Sequence, residues 1–206
     1  MKKAKAAVPV VMDLVAGPQG SGKSTFFRVQ ESGHDAFNID AHRKRLNRGS
    51  AQKIPLDVQK KAAADYEAFI EGHIRMKRSF SIEVTLGKEV TFEQAVRAHQ
   101  EGFSVQLTYI AANLDDCIER VAKRVERGGH GVKLGVLQKT HAASMRNLAR
   151  AIQEFDIVRV YDNSRRARLE DDPDESGPRL VLEAECGEVT FRASNPPRWL
   201  KDALDE

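Results

Sequence analysis

The chain has 206 residues, 41% hydrophobic and 31% charged, with a net charge of +3 and two cysteines. That length and apolar share suit one α/β domain with a substantial core and a small extension. The charge is too mild to argue for nucleic acid, and no apolar run approaches the about 20 residues that span a bilayer.

Cys117 and Cys186 lie far apart with no C-x-x-C spacing, which argues against a zinc site or disulfide framework and fits a reducing cytoplasm. Basic residues cluster at Lys2, Lys3 and Lys5, at Arg43, Lys44, Arg45 and Arg48, and at Arg165, Arg166 and Arg168. Each cluster reads first as a solvated surface.

In chain order, Val10 to Val15 is a mostly apolar run suited to a buried parallel strand. Ala16 to Thr25 follows, and a helix is predicted from Lys23 to Gln30. Phe37 to Asp40 is a short second strand ending in an acid, followed by a basic, polar stretch from Ala41 to Lys53. Leu56 to Met76 carries apolar residues near helical spacing. Phe80 to Val84 is the third strand, and Thr91 to Gln100 a helix closed by Gly102. Val105 to Ala111 is the fourth strand and Leu114 to Arg127 the helix after it. Gly128-Gly129-His130-Gly131 breaks the chain, Val136 to Phe155 resumes as helix, and Ile157 to Tyr161 is the fifth strand.

This alternation predicts a parallel sheet with right-handed crossovers. Functional side chains should gather at the carboxyl ends of its strands, where Asp40, Glu83 and Asp162 fall. Beyond them, 170–177 reads as an acidic exposed loop, Leu180 to Ala184 and Val189 to Ala193 as a hairpin, and Trp199 to Leu204 as a last helical turn.

Gly17, Gly22, Lys23 and Ser24 occupy the fixed positions of G-x-x-x-x-G-K-[ST], between a strand and a helix. Such a loop turns its N–H groups and a helix N-terminus toward phosphate. Lys23 would reach the β- and γ-phosphates, and the Ser24 hydroxyl would ligate Mg²⁺. Asp40 is placed to take a proton from a substrate hydroxyl, and its plainer role is to cap the next helix. Glu83 is placed for substrate hydroxyls or water on Mg²⁺, and its plainer role is a surface acid. Arg120, Arg124 and Arg127 recur on one helix before a glycine break, as a closing arginine lid requires. Glu119 and Glu126 on that helix offer the alternative of a solvated face.

Five stretches together resemble the zeta-toxin family of P-loop kinases, in its short branch of predicted ATPases. They are 17–25, Asn38-Ile39-Asp40, Phe80 through Leu86, Arg120-Val121 through Arg124-Val125 to Gly128-Gly129-His130, and Asn147-Leu148 followed by Tyr161-Asp162-Asn163-Ser164. The resemblance covers about 10–164 and implies an α/β, P-loop nucleoside-kinase-like three-layer core; the pattern of the residues predicts its five-stranded, mostly parallel sheet and a small C-terminal hairpin appendage, which the resemblance does not explain. The kinase domain would span 1–164, with a lid around 120–147, and 165–206 would be an extension packed on it.

The resemblance further implies transfer of the γ-phosphate of ATP, with Mg²⁺, to a hydroxyl of a small anionic acceptor such as UDP-N-acetylglucosamine. Toxic action and a separate antitoxin partner come with it; nucleic-acid and membrane partners do not. Asp40 would be the base, with Lys23 and Arg124 as the other catalytic groups. Gly17, Pro18, Gln19, Gly20, Ser21, Gly22, Lys23, Ser24 and Thr25 would hold the nucleotide phosphates, and Asn163 would sit near adenine. Glu83, Thr85, Arg120 and Lys139 would face the substrate. Lys139 stands where the family places an arginine, which keeps the charge and loses the two-pronged phosphate contact. That departure sustains an alternative, an ATP-binding regulatory protein with weak or no transfer.

Overall fold

A computed structural model of the chain describes residues 9–129, 131–165 and 177–205. Lys2, Lys3, Lys5, His130, Arg166, Arg168 and the acidic stretch before Gly177 lie outside them. Among the described residues no helix is long and apolar enough to cross a membrane.

The elements in order are β1 (Val11–Ala16), α1 (Lys23–Phe26), β2 (Asp35–Asn38), α2 (Ile39–Leu46), α3 (Leu56–Met76), β3 (Phe80–Val84), α4 (Glu89–Gln100) and β4 (Ser104–Ala111). Then come α5 (Leu114–Glu126), α6 (Leu134–Glu154), β5 (Ile157–Asp162), β6 (Arg179–Glu185), β7 (Glu188–Arg192) and α7 (Arg198–Ala203). The strands form one sheet in the order β2-β3-β1-β4-β5-β6-β7. The first five are parallel, and β6 and β7 are antiparallel to their neighbours.

The sheet therefore has seven strands rather than five, and the hairpin extends it instead of hanging from it. The cause is burial. Val181, Leu182 and Ala184 of β6 are buried in the main core, and they reach it by pairing with β5, Leu182 opposite Val160 and Ala184 opposite Val158.

That core lies on one face of the sheet. Met12, Leu14, Ile82, Leu107 and Val160 point into it from the strands. Ile70 of α3, Phe92 of α4, Leu148 of α6 and Leu200 of α7 meet them. The other face carries a small cluster of Val15, Val29 and Ile110 with Phe27 and Tyr161 against it, so the layers are unequal.

Two predicted elements differ. The helix expected over 23–30 stops at Phe26, where Phe27 leaves helical geometry and its ring meets Tyr161 at 4.7 Å; a 3₁₀ turn over Val29–Glu31 follows. The second strand ends at Asn38, because the Asn38 side chain accepts the Ala41 N–H and starts α2 there. Part of the expected polar stretch is thus helix.

The C-terminal helix is anchored at the site end of the sheet. Trp199, 7% exposed, donates its indole N–H to Asp162 Oδ1 at 3.0 Å. That oxygen also accepts the Ser164 N–H and hydroxyl at 3.0 and 2.7 Å. Trp199→Ala removes both the ring and a donor to a buried carboxylate, and it should destabilise the fold by about 3–5 kcal/mol. Urea denaturation checks this, and an unchanged midpoint would contradict the anchoring role.

Candidate active site

The carboxyl ends of the parallel strands share one edge, with Ala16 of β1 beside Val84 of β3 and Tyr109 of β4, and Ala111 of β4 beside Asp162 of β5. The loop from Gly17 to Gly22 leaves β1 at this edge and delivers Lys23 and Ser24 on α1. Its path is fixed by close approach. A side chain at Gly20 (φ 82°) would press on Cys117 of α5, with Cβ 2.5 Å from its carbonyl oxygen. One at Gly22 (φ 105°) would run into the Asn163 carboxamide.

Two side chains brace the loop from outside. Asn163, just past β5, donates its amide to the Ser21 carbonyl at 2.5 Å. Arg120 of α5 donates to the Asn163 carbonyl at 2.6 Å and to the Gly20 carbonyl at 3.4 Å. The expected adenine-side Asn163 and substrate-side Arg120 thus sit against the loop backbone. Ser21 Oγ and Gln19 Oε1 are buried with no hydrogen-bond partner among the described residues, which fits a loop shaped to be completed by a polar ligand.

Lys23 is 7% exposed, and its ammonium donates to the Gly17 and Pro18 carbonyls at 2.7 and 2.9 Å. Burial pulls its pKa below the usual lysine range; Glu83, Cys117 and Asp40 oppose that shift and Arg124 adds to it. Asp40 and Arg124 therefore lie within electrostatic reach of Lys23.

Ser24 donates to the Glu83 carboxylate, 3.3 and 3.2 Å from its two oxygens. Asn38 Nδ2 donates to Glu83 Oε2 at 2.7 Å. A hydroxyl beside a carboxylate suits Mg²⁺, which takes oxygen ligands and ordinarily keeps several waters. Asp40 lies in the first turn of α2, largely exposed, with Arg43 Nη1 3.1 Å from its Oδ1.

The structure thus gathers Gly17–Thr25, Glu83, Arg120 and Asn163 at one edge, with Asp40 and Arg124 in range. Thr85 follows in the turn after β3, half-buried. Lys139 is on an exposed side of α6, and among the described residues no hydrogen bond or ion pair ties it to the rest.

Sequence reasoning missed two residues. Asn38 is one. Asn147 is the other: it donates to the Leu86 carbonyl at 2.8 Å. Leu86 is fully buried at φ 57°, a conformation a branched side chain rarely adopts. The contact holds the turn that carries Thr85. The Asn147-Leu148 pair was visible as a motif, without a partner to explain it.

A parallel sheet ordered β2-β3-β1-β4-β5, with the phosphate-binding loop after its central strand, defines a P-loop kinase-like α/β fold. The chain belongs to the AAA-domain family, whose model matches residues 12–150, more than half of it. It is 31% identical over 123 residues to an uncharacterized protein of Haemophilus influenzae, which covers 55% of this chain and 80% of that protein. Among solved structures it is similar to one from a study of the PezAT chromosomal toxin–antitoxin system of Streptococcus pneumoniae. The TM-score is 0.63 at 18% identity, covering 99% of this chain and 86% of that one. It is also similar to a chain of the AvrRxo1-ORF1:-ORF2 structure with ATP, with a TM-score of 0.65 at 15% identity, covering 90% of this chain and 61% of that one. The protein therefore spans less than two thirds of its AvrRxo1 neighbour. Likeness at these identities is likeness of fold.

Two outcomes follow from this geometry. Gly22→Ala must displace Asn163 and strain a left-handed residue, so ATP affinity in titration calorimetry should fall about tenfold or more, a cost of at least about 1.4 kcal/mol; unchanged affinity would contradict the packing. Burial pushes the Cys117 thiol up to about 11, whereas Cys186 is exposed. A disulfide reagent at pH 8 should therefore titrate Cys186 rapidly in the folded protein and Cys117 only after denaturation. Rapid reaction of both would show that Cys117 is not shielded behind the loop.

Proposed function

We propose that the protein is an ATP-dependent phosphotransferase whose acceptor is a hydroxyl of a small anionic molecule. The observation that carries this reading is the gathering of a phosphate-binding loop, the Ser24–Glu83 oxygen pair and the Asp40 carboxylate at one sheet edge.

In the reaction, the acceptor oxygen bonds to the γ-phosphorus as its proton passes to Asp40. The bond from that phosphorus to the bridging oxygen breaks, and ADP carries the electron pair away. Lys23 exchanges two backbone carbonyls for phosphate oxygens, keeping its buried charge paired throughout. Ser24 and Glu83 are the residues that would hold Mg²⁺, which would offset negative charge on the phosphates. Arg124 supplies positive charge from α5, with Lys139 a one-pronged second cation on α6.

Arg43, Lys44 and Arg45 follow Asp40 on α2, and their charge favours an anionic acceptor. The resemblance to zeta toxins makes a nucleotide sugar such as UDP-N-acetylglucosamine the first candidate. Likeness in fold to a structure from the PezAT toxin–antitoxin study supports a toxin role with a separate antitoxin partner, acting in the cytoplasm. The kinase unit is 1–164, and β6, β7 and α7 continue its sheet and core.

The exposed Lys139 favours a second reading, an ATP-binding regulator that transfers nothing. Incubation with Mg-ATP and a pool of nucleotide sugars, nucleosides and small alcohols, read by mass spectrometry, separates the two. A product heavier by one phosphate is expected, absent with Lys23→Ala and reduced about 10²–10⁴-fold with Asp40→Asn. ATP bound with no acceptor modified would favour the regulator, and full activity in Asp40→Asn would remove Asp40 from the mechanism.

A further inference from the structure

The exposed Asp40 carboxylate is placed by its helix rather than by burial. Its side chain bonds to Arg43, one turn on in the same helix. Where the carboxylate stands therefore depends on what fixes α2. One tether runs to α3, where His42 Nε2 lies 2.8 Å from Asp65 Oδ2. The second is at the N-terminus, where α2 leaves β2 with Asn38 paired opposite Glu83 of β3 and the Asn38 side chain adds a cap.

The partners of Asn38 settle which way its amide faces. The Ala41 N–H can only donate, so it must meet Oδ1, at 2.9 Å. The Glu83 carboxylate accepts, so it meets Nδ2, at 2.7 Å. One carboxamide thus caps the helix that bears Asp40 and also bonds to the carboxylate that Ser24 addresses from the phosphate-loop helix. Ser24, Glu83, Asn38 and the first turn of α2 form a continuous hydrogen-bonded chain.

We propose that Asn38 is a positioning residue. Through its amide it sets the distance between the Asp40 base and the Ser24–Glu83 end of the site. This rests on the phosphotransferase reading above. Asparagine offers an acceptor for the helix and a donor for the carboxylate on two separate atoms, where a serine or threonine hydroxyl would have to serve both from one oxygen. Aspartate caps a helix equally well, but it cannot donate to Glu83 and sets a second negative charge against it. The bond to Glu83 is charge-assisted and so among the stronger kinds.

Aspartate at this position separates positioning from capping. With Asn38→Asp the cap is kept and the link to Glu83 is lost. The expected result is a fall in kcat of about 10²-fold, the scale of a misplacement near 1 Å, with KM for ATP within threefold of wild type. Asn38→Ala should lose as much. If Asn38 only caps the helix, Asn38→Asp will turn over like wild type, and the proposal is overturned.

A second measurement needs no activity. Asn38→Asp should lower Tm by about 3 °C or more. Asn38→Asp with Glu83→Gln, which reverses donor and acceptor, should regain most of that loss. Equal Tm values for wild type and Asn38→Asp, or no recovery in the double variant, would show that the hydrogen-bonded link does not exist. A wild-type protein that phosphorylates nothing overturns the phosphotransferase reading, and the positioning role with it. The melting series decides the link in either case.

Discussion

A loop that binds phosphate through its backbone must be held in shape by something other than phosphate. Here that constraint is met from the end of β5 and from α5. The Asn163 amide takes the Ser21 carbonyl, and the Arg120 guanidinium joins the Asn163 and Gly20 carbonyls. These contacts fasten a segment rich in glycine, whose conformational freedom would otherwise have to be lost on binding. They also place Lys23 in a site with little water, where its charge is costly unless carbonyls or phosphates surround it.

The far end of the chain serves the same constraint. Asn163 can brace the loop because β5 ends where it does. That end is held by Asp162, whose Oδ1 collects donors from Ser164 and Trp199. Ser164 in turn accepts the Asn113 N–H at the start of α5 at 3.0 Å. The buried Trp199 thereby connects the C-terminal helix to the phosphate loop through Asp162 and Asn163. The sheet is continuous through β6 for a related reason, since its apolar side chains complete the core beside β5.

Much of this was legible. The glycine spacing, the strand before it and Lys23 follow from short-range pattern, because backbone geometry alone dictates them. Leu56–Met76 and Phe80–Val84 were readable to the residue because their apolar periodicity is strong. What was hidden depends on partners distant in sequence. Arg120 and Asn163 stood out as polar residues in a motif, but their roles lie in contacts across 100 and 142 positions. Asn38 read as an inner residue of a strand ending at Asp40, and only its bond to Glu83, 45 positions on, shows why asparagine is there. The hairpin was readable too, whereas the pairing of β6 with β5 was not, since it joins Leu182 and Ala184 to Val160 and Val158, partners distant in sequence.

The central claim is that this loop is a nucleotide-phosphate site held ready by Arg120 and Asn163. Titration calorimetry of Mg-ATP into wild type and Arg120→Ala tests it most directly. Wild type should bind one ATP per chain. Arg120→Ala should stay folded by circular dichroism and bind about tenfold more weakly or worse, the scale of a hydrogen bond to a charged group worth about 1.5–3 kcal/mol. No binding by wild type, or equal binding by the variant, would contradict the account.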